Sequence, residues 1–134
     1  MIFIDANIFL AYWNTQDVHH KKAVVLWGQI VSGVYGECFT SDYVFNEIVG
    51  VALRKLGKEK TILLGDHILK SMLIINIDDY VLQRAWTFFT KTKLALSLVD
   101  CTNLIVLEMA QTKDIATLDK EFTKISHVNI VPAV

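Results

Sequence analysis

The run Ile2-Phe3-Ile4, closed at once by Asp5, limits what this chain can become. Three bulky apolar residues ending at a carboxylate read as a short buried strand. Apolar residues return from Ile8 to Tyr12 with helical spacing. Asp5 therefore belongs at the strand's C-terminal end, the edge where an open α/β sheet places its ligands.

The rest of the chain repeats that alternation. A first helix is predicted over 7–13. Asp17 is expected to cap a second, whose apolar stripe is Ala23, Val24, Trp27, Ile30 and Val31. Gly33 and Gly36 turn the chain into a strand over 37–40, and Ser41 caps a helix over 42–56 closed by Gly57. Another helix over 59–71 precedes a third buried strand at 72–75. Asp78 or Asp79 then starts a helix with Val81, Leu82, Ala85, Trp86 and Phe89 on one face. Residues 99–111 are apolar almost all round, which predicts a central, covered helix. A strand at 114–117, a short helix at 120–125 and a strand at 128–131 complete the order. Tyr12, Trp13, Trp27 and Trp86 are expected in the core, because each falls on or beside an apolar stripe. Strands alternating with helices imply a parallel sheet covered on both faces. The expectation is one α/β domain over 1–134, three-layered (α/β/α), with a central parallel sheet of four to five strands.

Composition sets the outer bounds. With 134 residues, 53% of them hydrophobic and one proline, the chain can build a core and shows no disordered tail. No apolar segment approaches the roughly 18–20 residues that cross a bilayer. Asp5 interrupts the N-terminal apolar run, which speaks against a signal peptide. Cys38 and Cys101 are isolated thiols, so a reduced, cytoplasmic setting is expected. A net charge of −1 means that any nucleic-acid contact must use local basic residues. Arg54, Lys55, Lys58 and Lys60 form one such cluster, Lys91 and Lys93 a second, and Lys21 and Lys22 a third; each also reads as ordinary solvated surface.

Four carboxylates fall where this architecture gathers residues. Asp5 follows the first strand, Glu47 lies in the helix after the second, Asp100 opens the central helix and Asp119 follows the fourth strand. Such a group repels itself unless a cation neutralises it. Oxygen ligands without His or Cys select Mg²⁺ or Mn²⁺. Each acid also has a structural reading: Asp5 and Asp119 as helix caps, Ser97 to Asp100 as a capping box, Glu47 as a solvated helix residue. Asn7, two residues after Asp5, and Asn103, one turn after Asp100, set an amide beside two of the acids. Thr117 and Ser41 add hydroxyls at two strand ends. His19 and His20 stand in a helix's first turn without a third partner, which favours a structural role.

In its ordered motifs the chain resembles the PIN domains, and VapC-type toxins in particular. The resemblance rests on Ile2-Phe3-Ile4-Asp5-Ala6-Asn7, on Asp17-Val18-His19-His20 followed by Ala23, and on Thr40-Ser41 leading to Asn46-Glu47-Ile48. It continues through Leu96-Ser97-Leu98-Val99-Asp100 and ends in Ile115-Ala116-Thr117-Leu118-Asp119-Lys120-Glu121-Phe122. It implies an acidic quartet of Asp5, Glu47, Asp100 and Asp119, a Mg²⁺- or Mn²⁺-dependent ribonuclease, and neutralisation by a partner antitoxin. Homodimerisation is expected on the same ground and on the many apolar residues. Cys101 departs from the small Ala commoner there and is expected to affect packing more than chemistry. Glu121 is a fifth acid whose part in a metal shell is open.

Other readings compete. An aspartate-nucleophile phosphotransferase usually wants a second Asp where Asn7 stands. A receiver-type signalling domain lacks a convincing acceptor Asp and late Lys. A PIN nuclease of RNA maturation without antitoxin, and a PIN fold kept as a non-catalytic binding module, both stay open at this stage.

Overall fold

The computed structural model describes residues 1–132; the last two positions of the expected 1–134 domain lie outside the described residues. The elements run β1 (Ile2–Ile4), α1 (Ala6–Trp13), α2 (His20–Val31), β2 (Cys38–Ser41), α3 (Asp42–Leu56), α4 (Lys58–Ser71), β3 (Leu73–Ile75), α5 (Asp79–Lys91) and α6 (Leu98–Met109). β4 (Asp114–Ala116), a 3₁₀ helix (Lys120–Lys124) and β5 (Asn129–Val131) follow. All strand pairings are parallel and the order across the sheet is β3-β2-β1-β4-β5. This is the expected three-layer α/β/α arrangement with a parallel sheet.

That strand order puts β1 in the middle. Ile2, Phe3 and Ile4 have no exposed surface, so each contributes roughly 1.5–3 kcal/mol by burial. Phe3 meets Phe39 of β2 edge to face, ring centroids 5.4 Å apart. The chain first winds outward from β1 through β2 to β3, then returns to the other side of β1 for β4 and β5. The winding reverses between β1 and β4, and a parallel sheet opens a crevice beyond its strand ends at such a point. Asp5 and Thr117 directly follow those two strands.

Most helix ends behave as their sequences predict. The Ser41 hydroxyl accepts from Val44 N at 3.1 Å and caps α3; Asp78 caps α5 through Val81 N. Gly57, at φ 82°, turns the chain between α3 and α4 in a conformation that favours glycine.

Several expectations need correction. Asp17 does not cap α2: its carboxylate accepts from His19 N at 2.8 Å and its carbonyl from His20 N at 3.0 Å, which makes a local turn. The helix begins at His20, and its buried face is Ala23, Leu26, Trp27 and Ile30; Val24 and Val31 face outward. β3 is an edge strand with Leu73 exposed, not a buried one. α5 buries Val81 and Ala85 but leaves Trp86 52% exposed, stacked on Phe89 at 5.5 Å. Trp86 is therefore a surface residue. α6 is covered from Cys101 to Leu107, while Met109 is exposed.

Candidate functional site

Asp5 leaves the end of β1 and caps α1 at the same time. Its Oδ1 accepts from Ala6 N at 2.8 Å. Its Oδ2 accepts from the Thr117 hydroxyl at 2.7 Å and from Asn7 Nδ2 at 3.3 Å. Asn7 Nδ2 also donates to Thr117 Oγ1 at 3.1 Å, and Asn7 Oδ1 accepts from Leu118 N at 3.0 Å. Thr117 Oγ1 accepts from Asp119 N at 3.1 Å as well. The ends of β1 and β4 are thus sewn together by side chains, and Asp5 is held where water scarcely reaches it.

Burial pushes the Asp5 carboxyl up to about 7. The hydrogen bonds from Thr117 and Ala6 pull the other way, and the charges of Asp100 and Glu47 push further up. Glu47 is raised too, by desolvation of its carboxyl and then by Asp100, although much of its side chain is exposed. Asp100 is raised by burial against the opposing bonds from Ser97, with Asp119 adding to the rise. The four sequence-predicted acids therefore stand near enough to feel one another's charge. They are in electrostatic contact but not in ligating contact: among the described residues, no three His, Cys, Asp or Glu side chains form a group that could hold an ion as they stand.

The structural and chemical readings of these acids coexist. Ser97 and Asp100 form the capping box, with Ser97 N donating to Asp100 Oδ2 at 2.8 Å. Asp119 Oδ1 accepts from Glu121 N at 2.9 Å and caps the 3₁₀ helix. Each cap ties down one oxygen and fixes the carboxylate's direction. Among the described residues, Asp100 Oδ1, Asp119 Oδ2 and both Glu47 oxygens take part in no hydrogen bond within the protein. Nor does any of the four acids join an ion pair; the pairs among the described residues are Arg84–Glu108 and Lys124–Glu121.

Asn103 is wholly buried in α6, and neither atom of its amide finds a partner. Leaving such a group unpaired costs about 1–3 kcal/mol. An all-oxygen set of acids that join no ion pair, and an unsatisfied amide one turn away, suits a hard divalent cation with its waters.

Other expected participants divide. Ser41 is occupied by its cap. Glu121 accepts from Ala95 N and pairs with Lys124, which hold its carboxyl below the usual range, so its oxygens are committed elsewhere. His20 Nδ1 bonds the Ala11 carbonyl oxygen at 2.9 Å, a structural tie between α1 and α2. His19, by contrast, lines a cavity of about 50 Å³ together with Lys22, Lys120, Thr117 and Asp119. Of that flank the sequence showed Lys22 in a basic cluster, Lys120 next to Asp119 and two histidines without a partner, but not their convergence. Cys101 is core filler: burial, with Asp100 nearby, pushes its thiol up to about 11. A wider groove of about 900 Å³ lies between α5 and α6, lined by Arg84, Phe88, Lys91 and Leu104 among others, and contains none of the four acids.

A family profile described as PIN domain matches residues 2–128. No curated protein matches the chain. Among solved structures the fold is similar to Mycobacterium tuberculosis VapC20, a sarcin-ricin loop cleaving toxin, with TM-score 0.85, 20% identity and coverage of 94% of this chain and 95% of that one. It is also similar to a toxin–antitoxin complex from Klebsiella pneumoniae (TM-score 0.66, 19% identity, 96% of each chain). A third similar structure is VapBC2 from Rickettsia felis bound to a promoter DNA fragment (TM-score 0.70, 15% identity, 97% of each chain).

Proposed function

The chain belongs to the PIN domain family, and from that premise we propose that it is a divalent-metal-dependent endoribonuclease, the toxin of a toxin–antitoxin pair. Asp5, Asp100 and Asp119 would hold Mg²⁺ or Mn²⁺, with Glu47 completing the set directly or through a water. When bound, such a cation would supply an acidified water and screening of the charge that builds on the phosphoryl oxygens. The chain's own residues supply placement. Thr117 and Asn7 keep Asp5 aimed and favour its ionised form, the caps fix Asp100 and Asp119, and Glu47 is the acid free to orient an attacking water. Lys22 and Lys120, with His19 beside them, give the RNA backbone a cationic approach beside Asp119. No protein nucleophile is needed.

The observation that supports this reading most is the charge coupling of four acids from four separate chain segments at the reversal point of the sheet. The same proposal includes a protein antitoxin partner, in line with the similar toxin–antitoxin complexes, a homodimer and a cytoplasmic site of action. Separately, no helix of the described residues is long and apolar enough to cross a membrane. Co-purification with the product of the neighbouring gene, followed by sizing, tests the first two; a lone monomer counts against them.

One observation favours a rival, a PIN fold kept for binding without catalysis: the acids are not already in gripping contact. Incubating the purified chain with RNA and Mn²⁺ separates the two. A nuclease cuts, stops with EDTA and is lost in Asp100→Asn; a binding module leaves the RNA whole in every tube.

A further inference from the structure

Asn103 is the side chain that the fold leaves unexplained. α6 is apolar on nearly every side from Cys101 to Leu107, and Asn103 interrupts it with an amide that has neither exposure nor a partner. Its place on the helix is informative. Successive residues advance about 100° round the axis, so Asn103 lies roughly 60° from Asp100 and one turn beyond it. The Arg84–Glu108 pair, with Leu104 and Ile105 in the α5–α6 groove, puts α5 on the other side of Asp100. Asn103 therefore turns away from α5, into the packed interior. Helical side chains also lean back toward the N-terminus, which carries the Asn103 amide toward the level of Asp100.

An amide offers one acceptor oxygen and two donor hydrogens. We propose that Asn103 is a positioning residue of the acidic site, its amide holding one buried water that is shared with the ion-bound carboxylates. This rests on the metal-site reading above and adds the group that completes it. A water needs two to four polar partners to occupy a buried place; the orphaned amide offers both donors and an acceptor, and Asp100 stands one helical turn before it. Outer partners of this kind typically govern metal affinity by about 10–100-fold. An apolar residue at 103 would pack into α6 without an unpaired polar group, so the metal-free fold gives up stability by keeping Asn.

The test is thermal melting in EDTA and Mn²⁺ titration by calorimetry, on the full chain and on Asn103→Leu. The variant should melt higher than the parent in EDTA, yet bind Mn²⁺ at least tenfold more weakly. Unchanged Mn²⁺ affinity in Asn103→Leu overturns the proposal, since the orphaned amide is then a plain cost. Asn103→Ala and Asn103→Ser serve if leucine does not fit, because they differ by one oxygen. The serine variant should bind Mn²⁺ several-fold more tightly than the alanine one, and equal affinities overturn the proposal. A parent chain that binds no Mn²⁺ sinks the metal-site reading itself and this inference with it, a result distinct from unchanged affinity in the variants.

Discussion

The Thr117 hydroxyl donates to Asp5 Oδ2 at 2.7 Å, joining the end of β4 to the end of β1 across the reversal point of the sheet. This bond favours the charged carboxylate in a place where burial disfavours it. Thr117→Val keeps the shape and removes the donor. Chemical denaturation at neutral pH should show a loss of about 1–3 kcal/mol, and Mn²⁺ binding should weaken because the Asp5 carboxyl holds its proton to higher pH. A variant with parental Mn²⁺ affinity would show that the bond serves the fold alone.

Asp5 also predicts how stability depends on pH. Its ordinary value is near 3.8 and its folded value about 7, so the folded state binds the extra proton between the two. Below about pH 4 both states are protonated and the site costs nothing. Stability falls as pH rises from about 4 to about 7 and levels off above, by something of the order of 4 kcal/mol. Glu47 and Asp100, raised in the same direction, reinforce the slope. Melting curves in EDTA should show this decline, Asp5→Asn should flatten it, and Mn²⁺ should offset it most at the alkaline end.

Asp100→Asn separates fold from chemistry. Asparagine can still accept from Ser97 N, so the capping box that starts α6 survives in large part. The melting temperature in EDTA should stay the same or rise, while RNA cleavage in Mn²⁺ falls by more than about 100-fold. Retained cleavage would remove Asp100 from the site.

Glu121 is the contrasting case. Its carboxylate is committed to Ala95 N and Lys124. Glu121→Ala should lower the melting temperature a little and leave Mn²⁺ affinity as it was. A variant that loses the metal instead would place Glu121 in the ion's shell and contradict its assignment as a brace.

How much of this was legible in the chain follows from the kind of signal involved. The apolar triplet ending at Asp5 set the strand, its exit and the crevice, because a fully buried strand leaves little freedom in register. The spacing of Glu47, Asp100 and Asp119 after their elements placed all four acids at one edge. Asp17 misled because an Asp before a helical pattern serves equally well in a local turn, and its own backbone carbonyl closed that turn. Trp86 misled because periodicity marks an apolar face without saying whether a neighbour covers it. His19 and Lys22 come to line the same cavity as Asp119 only through the fold, which sequence distance conceals. The orphaned state of Asn103 could not be read either, since spacing gives a residue's neighbours on a helix but not what packs against them.

The central claim is that four carboxylates from separate segments close on one divalent cation. Crystals grown with Mn²⁺ and measured at the manganese absorption edge test it directly. An anomalous peak bounded by Asp5, Asp100 and Asp119, with Glu47 reaching it directly or through a water, is the expected result. Manganese bound only elsewhere on the surface, with those carboxylates still apart, would contradict it.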